Sequence, residues 1–149
     1  MTNRLIKPSE QFQQEIEPAL DDYLKDPLSE RLAKNLARAI DHQVDWTFEY
    51  YQKNDRSRLN GARDVKSFRR QLVTQSSELQ IMNDLSDAAH RRFLTWPNTP
   101  PRVVVQSSAA FLLQSPTGGG SVQLYISTYG PFLPAATKSV AFWRNWQDW

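Results

Sequence analysis

Apolar residues recur every three or four positions through the first two thirds of the chain, a rhythm that predicts helices. Phe12, Ile16, Leu20 and Leu24 stand four apart, with Ser9 placed as an N-cap behind Pro8 and Glu10 in the first turn, where the helix dipole favours an anion. Pro18 lies inside this stripe. A proline ring collides with the carbonyl four residues back, so a kink or two short helices is expected there, with Pro27 ending the segment. Ser29 opens the strongest pattern. Leu32, Ala33, Leu36, Ala37, Ile40, Val44, Phe48 and Tyr51 share one helical face, and about 25 residues at about 1.5 Å each span about 37 Å. Asp55 to Gly61 reads as a polar connector. A third helix over about Asp64–Gln75 is expected to bury Val65, Phe68, Leu72 and Val73. A fourth, capped by Ser76 or Ser77, carries Leu79, Met82, Leu85, Ala89 and Phe93, and Trp96-Pro97 with Pro100-Pro101 stops it.

After Trp96 the pattern changes. Arg102–Gln106, Ala109–Gln114 and Val122–Thr128 are rich in β-branched and aromatic residues and read as strands. SPTGGGS separates the second from the third and suggests a long hairpin turn. A phosphate-cradling loop needs a Lys-Ser/Thr at the start of a following helix, and here a strand pattern follows. Gly130-Pro131 and Pro134 lead into a last helix from Ala135 to about Trp149. The expected architecture is α+β: an N-terminal bundle of about four helices over about residues 9–95, then a small antiparallel β-hairpin or meander and a C-terminal helix over about residues 102–149, all in a single domain spanning 1–149.

Composition narrows the chemistry. The chain has 149 residues and no cysteine, which excludes disulfide scaffolds, thiolate metal sites and Cys nucleophiles. The first residues, MTNRLIKPSEQFQQEIEP, hold no apolar signal core, and no stretch approaches a membrane-spanning run, so a cytoplasmic protein without membrane contact is expected. The net charge of +2 hides an uneven distribution. Residues 1–50 hold ten acids against six bases, a net of −4, whereas Lys53–Arg70 holds seven bases against two acids, a net of +5.

Several side chains are candidates for function. His42, Asp45 and Glu49 share the polar face of the second helix with Arg38 and are a candidate metal set, although helical carboxylate spacing is equally that of a solvated face. Asp87 and His90, three apart beside Asn83, form a candidate acid–base pair, set against the simpler reading of a satisfied polar contact at a helix interface. Lys66, Arg69 and Arg70 cluster near one side of the third helix, with Arg63 about one turn earlier, able to meet phosphates or an acidic protein surface, or to neutralise the chain's own acidic half. Phe68 belongs to the apolar stripe, so a base-stacking platform is missing. Phe142, Trp143, Trp146 and Trp149 crowd the last helix with Ala136 and Val140. Packing on the hairpin explains most of them, and Trp146 and Trp149 are candidates for contact with another chain.

A helical segment with basic residues and a helical histidine resembles the HEPN-type helical ribonucleases over about residues 29–95. Their motif is an Arg, four to six residues, then His; here only three residues separate Arg38 from His42, and no basic residue precedes His90 at that distance. DLSDAAHRRFL and the ending VAFWRNWQDW also resemble small bacterial helical proteins, a likeness that implies a fold and no activity.

The function expected is that of a small soluble macromolecule-binding or regulatory protein, acting through surface contacts without catalysis or cofactor. A protein partner or self-association is its main partner class. The alternative is a nucleic-acid-directed protein, either a binder or a degenerate HEPN-like ribonuclease module, using the basic segment 53–70.

Overall fold

A computed structural model describes residues 6–91, 111–114, 123–126 and 130–147. The chain begins with α1 (Pro8–Gln11), a π-helical turn (Phe12–Ile16) and α2 (Glu17–Lys25), one continuous helical run. The π turn explains how Pro18 is accommodated. Glu17 donates its N–H to the Phe12 carbonyl, five residues back, and the wider turn leaves room ahead of a residue that has no N–H to give. Phe12, Ile16, Leu20 and Tyr23 are buried by this run. Leu24, expected on the same stripe, is 49% exposed, because the π turn and the approaching helix end rotate it away from the core. The cap also differs from expectation. Lys7 is the N-cap and Pro8 the first helical residue, a position that tolerates proline because its N–H would lack an intrahelical partner anyway; Ser9 lies inside the helix.

The long helix α3 (Glu30–Asn54) forms as the pattern predicts, with the Ser29 hydroxyl accepting from the Leu32 N–H at 3.2 Å. Ala33, Leu36, Ala37, Ile40, Val44 and Phe48 are buried along it. The supposed polar connector is more ordered than expected. A 3₁₀ turn (Arg56–Leu59) drops Leu59 into the core, and Ala62 follows it. Asn60 and Gly61 then take positive φ, reversing the chain toward α4 (Val65–Gln75).

Helix α4 buries Phe68 and Leu72, with Val65 and Val73 partly buried; α5 (Glu78–Arg91) buries Leu79, Ile81, Met82 and Leu85. Ala89 and Phe93 lie outside the side chains described, as do Trp96, Pro97, Pro100, Pro101 and the expected strand Arg102–Gln106.

The expected α+β class is corrected to mostly α. Among the described residues, strand structure consists of β1 (Phe111–Gln114), β2 (Gln123–Ile126) and the two-residue β3 (Gly130–Pro131), against a 25-residue α3 and a 16-residue α6 (Phe132–Gln147). β1 lies antiparallel to β2, with Phe111 opposite Ile126 and Gln114 opposite Gln123, and β3 pairs on the other side of β2. Strands this short bury one or two side chains per face and cannot make a layer of their own. Leu124 and Ile126 of β2 are buried, and β2 leans on α6.

Nor does α6 serve mainly as a cover for a hairpin. It begins at Phe132, with Pro134 in its first turn, and packs among α3 and α5. Ala135, Ala136, Val140 and Trp143 are buried along it, and Tyr23 of α2 meets Phe132 edge to face at 5.1 Å. The result is a helical assembly whose centre is α3, with one 25-residue helix touched by almost every other helix. No helix among the described residues is long and apolar enough to cross a membrane.

Candidate functional site

The sequence that sets α4 in place also determines which of its cations face outward. Asp64 is the N-cap: its Oδ1 accepts from the Ser67 N–H at 2.7 Å, and the Ser67 hydroxyl accepts in return from the backbone N–H of Asp64 at 3.3 Å. Hydrogen bonding to the carboxylate from Ser67, its N–H first and its side chain second, holds the Asp64 carboxyl below the usual carboxylate range. With Phe68 and Leu72 pointing inward, helical spacing puts Lys66 and Arg70 on the opposite side of α4, and both are exposed, as is Arg63 just ahead of the N-cap.

Arg69 departs from this group. At the edge of α4 it turns toward α3 and donates to the buried Asp41 carboxylate, with a second, longer contact to Asp45 at 3.4 Å. Asn83 of α5 donates to the same Asp41 oxygen at 3.0 Å. Three helices are thus tied at one carboxylate. Burial pushes the Asp45 carboxyl up from its ordinary value, against the pull of the Arg69 guanidinium. Of the four basic residues picked out in and just before this helix, one is consumed internally and three remain outward.

On the outer face of α3, His42, Asp45 and Glu49 are exposed and line a cleft of about 410 Å³ together with Ala39, Trp46 and, across from them, Gln11 and Glu15. Trp46 is held in place by its Nε1–H, which donates to the Ile6 carbonyl at 2.9 Å; Gln43 donates to the Pro8 carbonyl at 2.9 Å one turn away. These two bonds strap residues 6–8 along α3. Among the described residues no group of three or more His, Asp or Glu is arranged to hold a metal ion, so His42, Asp45 and Glu49 stand as a charged cleft wall rather than a coordination set. The backbone of Asp87 and His90 belongs to α5, and their side chains lie outside those described.

The aromatic end of the chain is largely internal. Trp143 is fully buried, 5.7 Å from Trp146 centre to centre. Trp146 is partly buried and meets Phe68 at 6.0 Å and Tyr51 at 5.9 Å, both edge-on. Arg58 stacks between Tyr51 and Trp146, about equally far from both at 5.0 and 4.9 Å, and donates to the Trp146 carbonyl at 3.2 Å. Trp146, picked out as a contact for another chain, therefore serves the junction of α3, α4 and α6. Trp149 lies outside the described residues.

Sequence reasoning missed Asp41, Trp46 and Arg58, and placed Asn83 beside Asp87 and His90 rather than with Asp41. Asp41 had a readable signal, since it occupies an otherwise apolar row running Ala37, Asp41, Val44, Phe48, where a charge needs a partner. Arg58 had none, because its two aromatic neighbours come from elements far apart in sequence. Compared with protein-family models, with curated proteins and with solved structures, the chain matches none.

Proposed function

We propose that this chain is a macromolecule-binding protein that works by surface contact, without catalysis, and that its binding face is the outer side of α4 formed by Lys66 and Arg70 with Arg63, which precedes the N-cap. The observation that carries this reading is the division of labour within α4. Arg69 is committed to Asp41, while Lys66 and Arg70 stand exposed about 6 Å apart along α4, taking about 1.5 Å of rise per residue, with exposed Arg63 ahead of the cap. Two cations at fixed spacing on a capped helix, with a third beside its N-terminus, favour an acidic protein surface: long-range attraction steers the encounter and the fixed spacing selects among partners. Phe68, the aromatic residue of α4, faces the core, which weighs against a surface that stacks single-stranded bases.

The test compares wild type with the triple variant R63E/K66E/R70E, leaving Arg69 in place so that the fold is preserved. Proteins captured by wild type and lost by the variant are purified and titrated directly. The reading expects a protein partner whose affinity falls at least about tenfold in the variant, with binding that weakens as salt rises. If nucleic acid is the ligand retained, with a steep loss of affinity in salt, the nucleic-acid alternative takes its place. Equal binding by both forms overturns the assignment of the face.

A further inference from the structure

The cationic row of α4 and the acidic cleft of α3 are complementary, and both belong to this one chain. We infer that a second copy of the chain is a partner for the α4 face, its Glu15, Asp45 and Glu49 receiving Arg63, Lys66 and Arg70 in a two-fold, reciprocal contact. This inference rests on the proposal that α4's outer row is the binding face, and it names the partner.

Three observations support it. The charges match in number: three exposed cations against three exposed carboxylates at one cleft. The dimensions match as well. Lys66 and Arg70, four apart on α4, lie about 6 Å apart along the helix axis, as do Asp45 and Glu49 on α3, with Glu15 facing the latter pair across the cleft. Finally, the two surfaces adjoin. Asp45 lines the cleft and is also touched by Arg69, the α4 residue beside Arg70. Within one copy the cations and the cleft therefore meet at the edge between α4 and α3, where Arg69 already reaches Asp45. Two copies related by a two-fold axis across that edge place each row over the other's cleft, making two equivalent contacts in a closed dimer. Trp46, pinned to Ile6, supplies a flat ring at the cleft wall over which a guanidinium or ammonium can lie.

Exposed ion pairs are individually weak and are screened by salt, so the association is expected to be concentration-dependent and salt-labile rather than permanent. Sedimentation of the full chain at low ionic strength measures it. Wild type is expected to approach twice the monomer mass as concentration rises and to lose at least about tenfold in affinity when salt is raised to about 0.5 M, where the screening length falls to a few ångströms. Two charge-reversed forms decide the geometry. K66E/R70E and E15K/E49K are each expected to be monomeric while keeping wild-type helical circular dichroism. An equimolar mixture of the two is expected to recover dimers, because each mixed pair then carries two complementary contacts.

A wild type that stays monomeric at low salt overturns the inference, as does a dimer indifferent to both variants or a mixture that stays monomeric. The proposed function fails separately, when R63E/K66E/R70E binds every ligand that wild type binds.

Discussion

Arg69 of α4 and Asp41 of α3, 28 residues apart in sequence, form a buried ion pair that Asn83 of α5 completes by donating to the same carboxylate. The Asp41 side chain is 8% exposed and the Arg69 side chain 18%, so the charges are held away from most of the solvent. Burying such a pair gains little over an apolar contact of equal volume, but stranding one partner is costly. Arg69→Ala is expected to lower unfolding free energy by about 2–3 kcal/mol in urea titrations, below the value for a fully buried pair because Asn83 still serves Asp41. Asn83→Ala is expected to cost about 1 kcal/mol. A loss under about 0.5 kcal/mol in Arg69→Ala would show that the pair does not organise the three helices.

Tyr23 makes a prediction about alkaline pH. Its hydroxyl donates to the Pro27 carbonyl at 2.8 Å, and burial pushes its pKa up from 10.0 to about 12. The folded state therefore holds this proton more tightly than the unfolded state does. The associated stability is fully present below pH 10.0, and it is lost as pH rises from there through about 12. Spectrophotometric titration should show a late phenol ionisation to which Tyr23 contributes, and Tyr23→Phe should reduce that phase while costing about 1 kcal/mol at neutral pH through the lost hydrogen bond. An unchanged titration in the variant would refute the assignment.

The Arg58 clasp separates charge from shape. Lysine in its place keeps the cation but loses the planar fork that lies between Tyr51 and Trp146 and reaches the Trp146 carbonyl. Arg58→Lys is expected to cost about 1 kcal/mol and Arg58→Ala about 2 kcal/mol, with altered near-ultraviolet circular dichroism from the tryptophans. Equal stability of Arg58→Lys and wild type would mean that charge alone suffices.

The strap along residues 6–8 can be loosened without touching the core. Trp46→Phe removes the donor to Ile6 and keeps an aromatic ring. Hydrogen exchange at the Gln11 amide, which donates to the Lys7 carbonyl at 3.0 Å in α1, is expected to accelerate about fivefold, the loss of about 1 kcal/mol of local protection. Exchange on α3 should stay unchanged, and acceleration there as well would indicate global rather than local loosening.

Much of the helical layout was legible in the sequence because it rests on local information. Ser29 and Asp64 cap where their side chains reach the next turn's N–H, and the Leu32–Phe48 stripe repeats often enough to leave no other period. The strands misled for the opposite reason. Gln123–Ile126, the described part of the β-rich run Val122–Thr128, does form a strand, yet the share of a fold that a sheet occupies depends on partners that no local pattern reveals. Leu24 and Leu59 exchanged their expected environments, one exposed and one buried, through a π turn and a 3₁₀ turn that each shift the helical phase. Of the candidate site, the basic run was visible as composition. That Arg69 leaves it for Asp41 while Arg63, Lys66 and Arg70 do not is a matter of helix packing.

The contacts of α6 also bear on how the molecule is assembled during synthesis. Phe132 rests on Tyr23, Arg144 lies 3.7 Å from Glu17 and 5.7 Å from the ring of Phe12, and Arg58 reaches a carbonyl 88 residues downstream. Part of the apolar surface of the first helices, around Tyr23, Tyr51 and Phe68, thus lacks its cover until residues 132–146 have left the ribosome. Closing so long a loop is a slow step, and a nascent chain paused before α6 would expose the surfaces that holdase chaperones recognise. Translation speed near the Gly130–Pro134 stretch is then a lever on yield, acting through a helix that is made well after those it covers.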